Sequence, residues 1–296
     1  MKHVLLIYNP YAGKKKIKDY LYDIINNLVD DDTELIVFPT KARGDADVKV
    51  AEMRDFITLV CCSGGDGTLH EVVNGMMRRP PEKRVPISYI PTGSTNDFGK
   101  SLNISSNMVT ASNLARFGSP FKIDVASLNE LYFVYTACFG VFTETSYATP
   151  QDLKNILGHF AYIINGASEL TRVARYNMRV EYDGNVVEGR FVFGAVCSTT
   201  QVGGMKGIMG RDVKFNDGLY EMLLIKDMPI TAYSSVLYEL MQGNYEKENN
   251  YIVYAKVKNV KFLCDREVAW CADGEFGGNI RNAEINVNRE AVTLMV

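Results

Sequence analysis

The apolar positions of this chain fall into two textures. Through the first 120 or so residues, continuous apolar runs alternate with stretches whose apolar residues recur every three or four positions; beyond that, short strand-like runs dominate. Residues 3–8 predict a strand, and behind it Ile17, Tyr20, Leu21, Ile24, Ile25 and Leu28 form one helical stripe. Residues 34–38 predict a second strand, followed by a loop at 40–46 that leads into a helix through Met53. The apolar run 56–62 predicts a third strand. Leu69, Val72, Val73, Met76 and Met77 then place five apolar side chains on one face of a helix, with Thr68 as its predicted N-cap. A strand at 86–90 and a helix around 107–117 complete this half. Strands alternating with helices predict an α/β domain over residues 1–122 with a doubly wound, mostly parallel sheet, whose ligands sit at the carboxyl ends of the strands.

Beyond residue 122 the pattern predicts a hairpin of 121–128 and 131–141 across Asn129-Glu130, then a helical segment at 151–170. Runs 177–182 and 186–197 flank Asp183-Gly184, a strong hairpin signal. Further strands are predicted at 219–225, 251–257, 260–264, 267–272 and 284–287, with a helix at 232–242 after the first of them. This strand-rich half predicts a separate β-sandwich-like domain over 123–290, with 291–296 returning to the first domain. No long linker intervenes, so the expected active cleft lies where two closely joined domains meet.

Composition narrows the function classes. A net charge of −3 over 296 residues argues against a general nucleic-acid binder. The longest apolar run, 131–142, is broken by Thr136 and too short to span a bilayer, and 4–8 is too brief for a signal-peptide core; both point to a cytoplasmic protein. The six cysteines show no CxxC pair or Cys/His spacing suited to zinc, so buried free thiols are expected.

The candidate chemistry centres on Ser63-Gly64-Gly65-Asp66-Gly67-Thr68, a glycine-rich turn between a predicted strand and a predicted helix. Glycines let a ligand approach peptide N–H groups closely, and the positive end of a helix adds to their field, which makes a phosphate seat. An ordinary tight turn in an α/β sheet explains the composition equally well. The stretch is neither a P-loop nor the dinucleotide fingerprint GxGxxG.

GGDGT at 64–68, followed by HEVVNG at 70–75, resembles the signature of the diacylglycerol kinase catalytic superfamily. That superfamily takes in soluble bacterial lipid kinases, sphingosine and ceramide kinases and, more distantly, NAD kinases. Along essentially the whole chain the similarity to soluble bacterial diacylglycerol kinases continues. Asn9-Pro10-Tyr11-Ala12-Gly13 resembles the NPxSG turn, with Ala12 in the serine place, and Thr40 with Gly44-Asp45-Ala46 resembles the T-x3-GDA loop. The stretch 91–97 resembles PxGTxND, with Ser94 where threonine is usual; Asp217-Gly218-Leu219 resembles a DG(L/Y) element and Asp273-Gly274-Glu275 a DGE element.

The resemblance implies an NAD-kinase-like first domain and ATP-dependent, Mg²⁺-dependent phosphorylation of a lipid alcohol, with diacylglycerol as the leading substrate. It implies that Asn9, Pro10, Tyr11, Ala12 and Gly13 wall the nucleotide and that Thr40 and Ser94 hydrogen-bond it. Gly65, Asp66, Gly67, Thr68, Leu69, His70 and Glu71 would hold its phosphates. Asp66 and Asp97 would organise the catalytic Mg²⁺ through water, with Asp124 joining them. It further implies a structural Mg²⁺ on Asp217 with the carbonyls of Lys214 and Leu219; an Asp-Gly turn without metal is the equal alternative. Glu275 would be the base that takes the lipid hydroxyl proton. By spacing alone Asp273-Gly274-Glu275 reads as a hairpin turn, and only the resemblance makes it catalytic.

A kinase of this kind takes its lipid from an anionic membrane surface, here the inner face, while peripheral to it. Three basic clusters are candidates for that contact: Lys14, Lys15, Lys16 and Lys18; Arg172, Arg175 and Arg179; and Arg78, Arg79, Lys83 and Arg84. Solvated faces are the ordinary explanation of each. A homodimer is expected from the family alone. The rival readings are a non-catalytic lipid or nucleotide sensor and an NAD kinase, the latter disfavoured by 91–97 and 273–275.

Overall fold

A computed structural model describes residues 1–140, 174–199, 201–202, 205–206, 209, 212–243, 245 and 249–296. The predicted helical segment 151–170 and Arg172 lie outside these residues. The chain divides into two compact units, Met1–Val125 with Arg289–Val296, and Ala126–Asn288.

The first unit runs β1 (Lys2–Tyr8), α1 (Ile17–Leu28), β2 (Thr33–Pro39), α2 (Asp45–Ala51), β3 (Leu59–Gly64), α3 (Asp66–Met77), β4 (Ile87–Pro91), α4 (Asp97–Ser101), α5 (Met108–Ser112) and α6 (Leu114–Phe117), and then enters β5 (Pro120–Leu128). β2, β1, β3 and β4 pair in that order, all parallel. Val4, Leu5, Leu6 and Ile7 are all buried, which is the continuous burial of a strand covered on both faces. On α1, Ile17, Ile24 and Leu28 are buried as the stripe requires, whereas Tyr20 is exposed.

Three local details depart from the sequence pattern. α3 begins at Asp66 and its N-cap is Gly65, not Thr68. The Thr68 amide bonds the Gly65 carbonyl at 3.0 Å, which puts Thr68 inside the first turn. Its side chain fills the space beside Gly64, where a Cβ would stand 2.4 Å from Thr68 Oγ1. α4 is a short helix in a stretch for which the pattern predicts no element. The predicted helix 107–117 breaks at Asn113 into α5 and α6, with Asn107 capping the first by accepting the Thr110 amide.

The second unit contains β6 (Leu131–Phe133), β7 (Thr136–Gly140), β8 (Tyr176–Tyr182), β9 (Asn185–Cys197), β10 (Gln201–Val202), β11 (Met205–Lys206), β12 (Tyr220–Lys226), α7 (Tyr233–Gln242), β13 (Ile252–Val257) and β14 (Asn259–Ala272), and most of β15 (Glu275–Met295). Its pairings are antiparallel: β13 to β12, β12 to β9, β9 to both β7 and β8, and β14 to β7, β8 and β15. The Asp183-Gly184 turn closes β8 on β9 as its sequence predicts, with Tyr182 opposite Asn185. One apolar cluster gathers Trp270, Phe139, Phe262 and Tyr176, with ring centroids 4.9–5.8 Å apart, in the edge-on and tilted arrangements aromatic rings prefer. A second sits where Val236 and Leu240 of α7 meet Leu223 and Ile225 of β12.

The runs 260–264 and 267–272 are one strand, β14, whose register against β15 shifts between Leu263 and Val268. Likewise 284–287 and 291–296 belong to the single long strand β15, and Leu294 pairs in parallel with Ile87 of β4. The predicted run 131–141 is interrupted between Phe133 and Thr136 because the Asp273 carboxylate takes the amides of Val134, Tyr135 and Thr136. All six cysteines are buried and free. No described helix is long and apolar enough to cross a membrane.

Among the described residues, Arg78, Arg79, Lys83 and Arg84, and Arg175 and Arg179 of the second cluster, have partners in the fold. Arg79 is buried and donates to the carbonyls of Lys83, Ala51 and Met53 and to Asp55; Lys83 pairs with Asp55 as well. Arg78 pairs with Asp47, and Arg84 donates to the Met77, Arg79 and Ala291 carbonyls. In the other unit Arg175 pairs with Asp227, and Arg179 with Glu181 and Glu188. Because Arg79 satisfies the Ala51 and Met53 carbonyls at and just beyond the end of α2, Arg79→Ala is expected to lower the urea midpoint of the full chain by an amount worth about 2–3 kcal/mol. A midpoint within error of the parent would contradict that role.

Candidate active site

Three loops leave the carboxyl ends of β1, β3 and β4 and meet backbone to backbone. The Asn9 amide donates to the Ser63 carbonyl at 2.9 Å, and the Thr92 amide donates to the Gly64 carbonyl at 2.8 Å. Gly13 sits at φ +53°, and a Cβ on it would lie 2.3 Å from the Thr92 carbonyl oxygen. A Cβ on Gly93 would lie 2.6 Å from Gly65 Cα. Only residues without side chains allow this approach. The cradle they form is lined by peptide groups at the N-terminus of the twelve-residue helix α3. The opening amides of an α-helix have no carbonyl within the helix to meet, so Gly65, Asp66 and Gly67 stand where an anion is favoured.

Side chains fix the cradle from several directions. Asn9 Oδ1 accepts the Tyr11 amide at 2.9 Å, and Asn9 Nδ2 lies 3.4 Å from Thr68 Oγ1. Asp66 Oδ2 accepts the Asp97 amide at 3.2 Å, which ties the first residue of α4 to the side chain of the first residue of α3. Asp97 is buried, with Lys100 Nζ 3.9 Å from its Oδ1. Glu71 accepts the amides of Gly44 and Ala46 at 2.8 and 3.1 Å, so its carboxylate braces the start of α2 and the T-x3-GDA loop. Leu69 and His70 are buried on α3, and the Leu69 amide bonds Gly65. Thr40 is buried with its amide on the Tyr8 carbonyl, whereas Ser94 is exposed. Pro10 and Ala12 complete the first loop, and Tyr11 stands exposed beside it with Lys15 Nζ 5.4 Å from its ring centre. Asp124 is buried and accepts the amide of Glu290, a β15 residue with φ of +49°, at 2.7 Å.

The second unit carries the DGE element. Asp273 and Gly274 both have positive φ, at +49° and +83°. Asp273 Oδ1 accepts the Tyr135 and Thr136 amides at 3.0 and 3.1 Å, and Oδ2 accepts Val134 at 2.8 Å. Tyr220 Oη holds the same segment by donating to the Val134 carbonyl at 2.8 Å. This clamp fixes the turn that presents Glu275, half-buried at the first position of β15. At the other predicted metal position, Asp217 Oδ1 accepts the Leu219 amide at 3.1 Å, the bond an Asp-Gly turn makes for itself, and Lys214 is exposed. Nearby Glu221 is buried, 3.6 Å from Lys256 Nζ, and burial pushes its carboxyl up to about 8.

Among the described residues no three His, Cys, Asp or Glu side chains gather to hold a metal ion. Mg²⁺ takes one or two carboxylates together with water and phosphate oxygens, so the Asp66–Asp97 pair is a donor set that fits it. Sequence reasoning missed Asn96, whose Oδ1 accepts the Gly93 amide at 3.0 Å and whose Nδ2 donates to the Gly93 carbonyl at 2.8 Å. It also missed Tyr89, buried in an apolar run that gives no sign of a polar role.

Known proteins resemble this chain along nearly its whole length. The diacylglycerol kinase catalytic domain profile matches residues 3–128, and the YegS C-terminal NAD kinase beta sandwich-like domain profile matches 140–296. Two proteins named diacylglycerol kinase, from Staphylococcus aureus strains MRSA252 and bovine RF122 / ET3-1, are each 31% identical over 97% of this chain and 90% of their own. A crystal structure of a diacylglycerol kinase from Bacillus anthracis str. Sterne shares the fold, with a TM-score of 0.76 at 24% identity, covering 99% of this chain and 96% of that one. Another chain from that organism reaches a TM-score of 0.83 at 25% identity, with the same coverage. With both profiles in sequence order and a relative matched nearly end to end, the chain belongs to the diacylglycerol kinase family of lipid kinases.

Proposed function

We propose that this protein transfers the γ-phosphoryl group of ATP to the hydroxyl of a lipid alcohol, with diacylglycerol as substrate and phosphatidic acid as product. The observation that carries this reading is the meeting of an amide-lined helix N-terminus with two carboxylates, Asp66 and Asp97, on loops tied together by a hydrogen bond of 3.2 Å. Phosphoryl transfer needs positioning and charge neutralisation more than covalent help from the protein. The amides at Gly65–Gly67 hold phosphate oxygens, with the α3 dipole behind them. Asn9–Gly13 and Thr40 border that seat, and exposed Ser94 offers a hydroxyl to the nucleotide. Asp66 and Asp97 hold Mg²⁺, which when bound neutralises charge on the phosphates. Glu275, set at the end of the Asp273 clamp, takes the proton of the lipid hydroxyl. A structural cation on Asp217 with the Lys214 and Leu219 carbonyls is a separate proposal, since the turn closes through its own hydrogen bond.

For reaching the lipid, Lys14, Lys15, Lys16 and Lys18 are all exposed, with Lys15 near the Tyr11 ring, and they lie in the loop and first turn ahead of and within α1. We assign them to transient docking on anionic headgroups from the cytoplasmic side, each contributing on the order of 1 kcal/mol.

Three measurements test this reading. Glu275→Gln is expected to cut kcat for diacylglycerol phosphorylation roughly 10²–10⁴-fold while ATP affinity stays within about twofold. Retained turnover would remove the base, and a parent protein with no turnover on any lipid alcohol would mark a non-catalytic sensor instead. Gly93→Ala, which forces a Cβ against the Gly65 backbone, is expected to weaken binding of a fluorescent ATP analogue by about tenfold or more. Unchanged affinity would mean the three-loop contact is not the nucleotide seat. Cosedimentation with phosphatidylglycerol vesicles is expected to fall steeply between low and high salt, because exposed charges are screened. Binding that ignores salt would dismiss the lysine docking.

A further inference from the structure

Tyr89 lies in β4 with its side chain buried, and no step above uses it. Its hydroxyl stands 3.3 Å from the Gly64 carbonyl oxygen and 3.4 Å from Asn96 Oδ1. One phenolic proton therefore bridges two acceptors, and each acceptor belongs to a loop that carries one of the paired carboxylates. Gly64 precedes Gly65, the cap of α3, two residues from Asp66. Asn96 precedes Asp97 and adopts a left-handed backbone at φ +51°. Asn96 Nδ2 donates to the Gly93 carbonyl, and Oδ1 accepts both the Gly93 amide and the tyrosine hydroxyl. The Tyr89 ring also supports α4, because a Cβ on Gly99 would stand 3.1 Å from Tyr89 Cε1. Burial, with the nearby Asp66 carboxylate adding to it, holds the phenol well above its usual range, so the hydroxyl stays protonated and remains a donor.

We propose that Tyr89 is a positioning residue for the nucleotide site, whose hydroxyl sets the spacing of the Asp66 and Asp97 carboxylates by joining the loops that carry them. The inference rests on reading this unit as a Mg²⁺–ATP site. Removing the hydroxyl leaves the ring to fill its space. Gly64 keeps the Thr92 amide on its carbonyl at 2.8 Å, and Asn96 keeps both bonds to Gly93. The fold is thus expected to survive Tyr89→Phe while the relation between the two carboxylates loosens. A displacement well under 1 Å at such a pair is enough to weaken metal-assisted binding.

The experiment titrates the full-length protein with a fluorescent ATP analogue, with and without Mg²⁺, and measures the Mg²⁺ concentration for half-maximal phosphorylation of dioleoylglycerol in mixed micelles. For Tyr89→Phe the expected result is a half-maximal Mg²⁺ concentration raised about fivefold, a reduced Mg²⁺ enhancement of binding, and metal-free binding and lipid KM within about twofold of the parent. Asn96→Gly keeps the left-handed backbone and deletes the shared acceptor, and should shift the Mg²⁺ dependence the same way; it carries the test alone if Tyr89→Phe fails to fold. Combined with Asp97→Asn, the tyrosine substitution should add nothing to the loss of Mg²⁺ enhancement. Unchanged Mg²⁺ dependence, or an additive loss in the double variant, overturns the role of Tyr89 while leaving the nucleotide site standing. A parent protein that binds the analogue without any help from Mg²⁺ overturns the metal reading and this inference together.

Discussion

The structure of the first unit turns on a contact that contains no side chain. Where Gly13 meets the Thr92 carbonyl and Gly93 meets Gly65, three loops close to distances that any Cβ would prevent. Everything assigned to the nucleotide depends on that closeness. It aims the N-terminus of α3 into a cradle of peptide groups, and it lets the Asp97 amide reach Asp66. Side chains then hold what the glycines permit: Asn9 on the Tyr11 amide, Glu71 on α2, and Asn96 on Gly93. Burial of the strands behind the loops supplies stiffness, each buried aliphatic side chain contributing roughly 1.5–3 kcal/mol.

The two units solve the same positioning problem with different chemistry. In the first, glycines bring the opening amides of α3 close to the loops after β1 and β4. In the second, the amides of Val134, Tyr135 and Thr136 are taken up by the Asp273 carboxylate, which freezes a turn with two consecutive positive φ values. A turn so held leaves Glu275, at the start of β15, little freedom. Charge is sorted in the same spirit. Arg78, Arg79, Lys83 and Arg84 look in the sequence like one more basic patch, yet they serve carbonyls and carboxylates inside the first unit.

Much of this is legible in the sequence because the signals are local. Alternation of apolar runs and helical stripes gives the parallel order of the first unit, and Asp183-Gly184 gives the β8–β9 hairpin. The loops with glycine are visible as motifs because their backbone geometry excludes other residues. What stays hidden depends on contacts remote in sequence. Thr68 looks like a cap because a hydroxyl usually caps, but its side chain is drawn beneath Gly64, and the helix starts three residues earlier. The break between β6 and β7 is dictated by Asp273, about 140 residues away, and no window around Val134 contains that information. Tyr89 is equally silent: in an apolar strand its ring reads as core, and only the folded loops show what its hydroxyl meets.

The most direct test of the account follows the backbone amides themselves in a ¹⁵N-labelled full-length protein as a non-hydrolysable ATP analogue is added. The account predicts that the Gly65, Asp66 and Gly67 amide resonances move most, saturating together, with Gly93 and Asp97 responding on the adjoining loop. Resonances of Gly65–Gly67 that stay in place while amides elsewhere shift would contradict it.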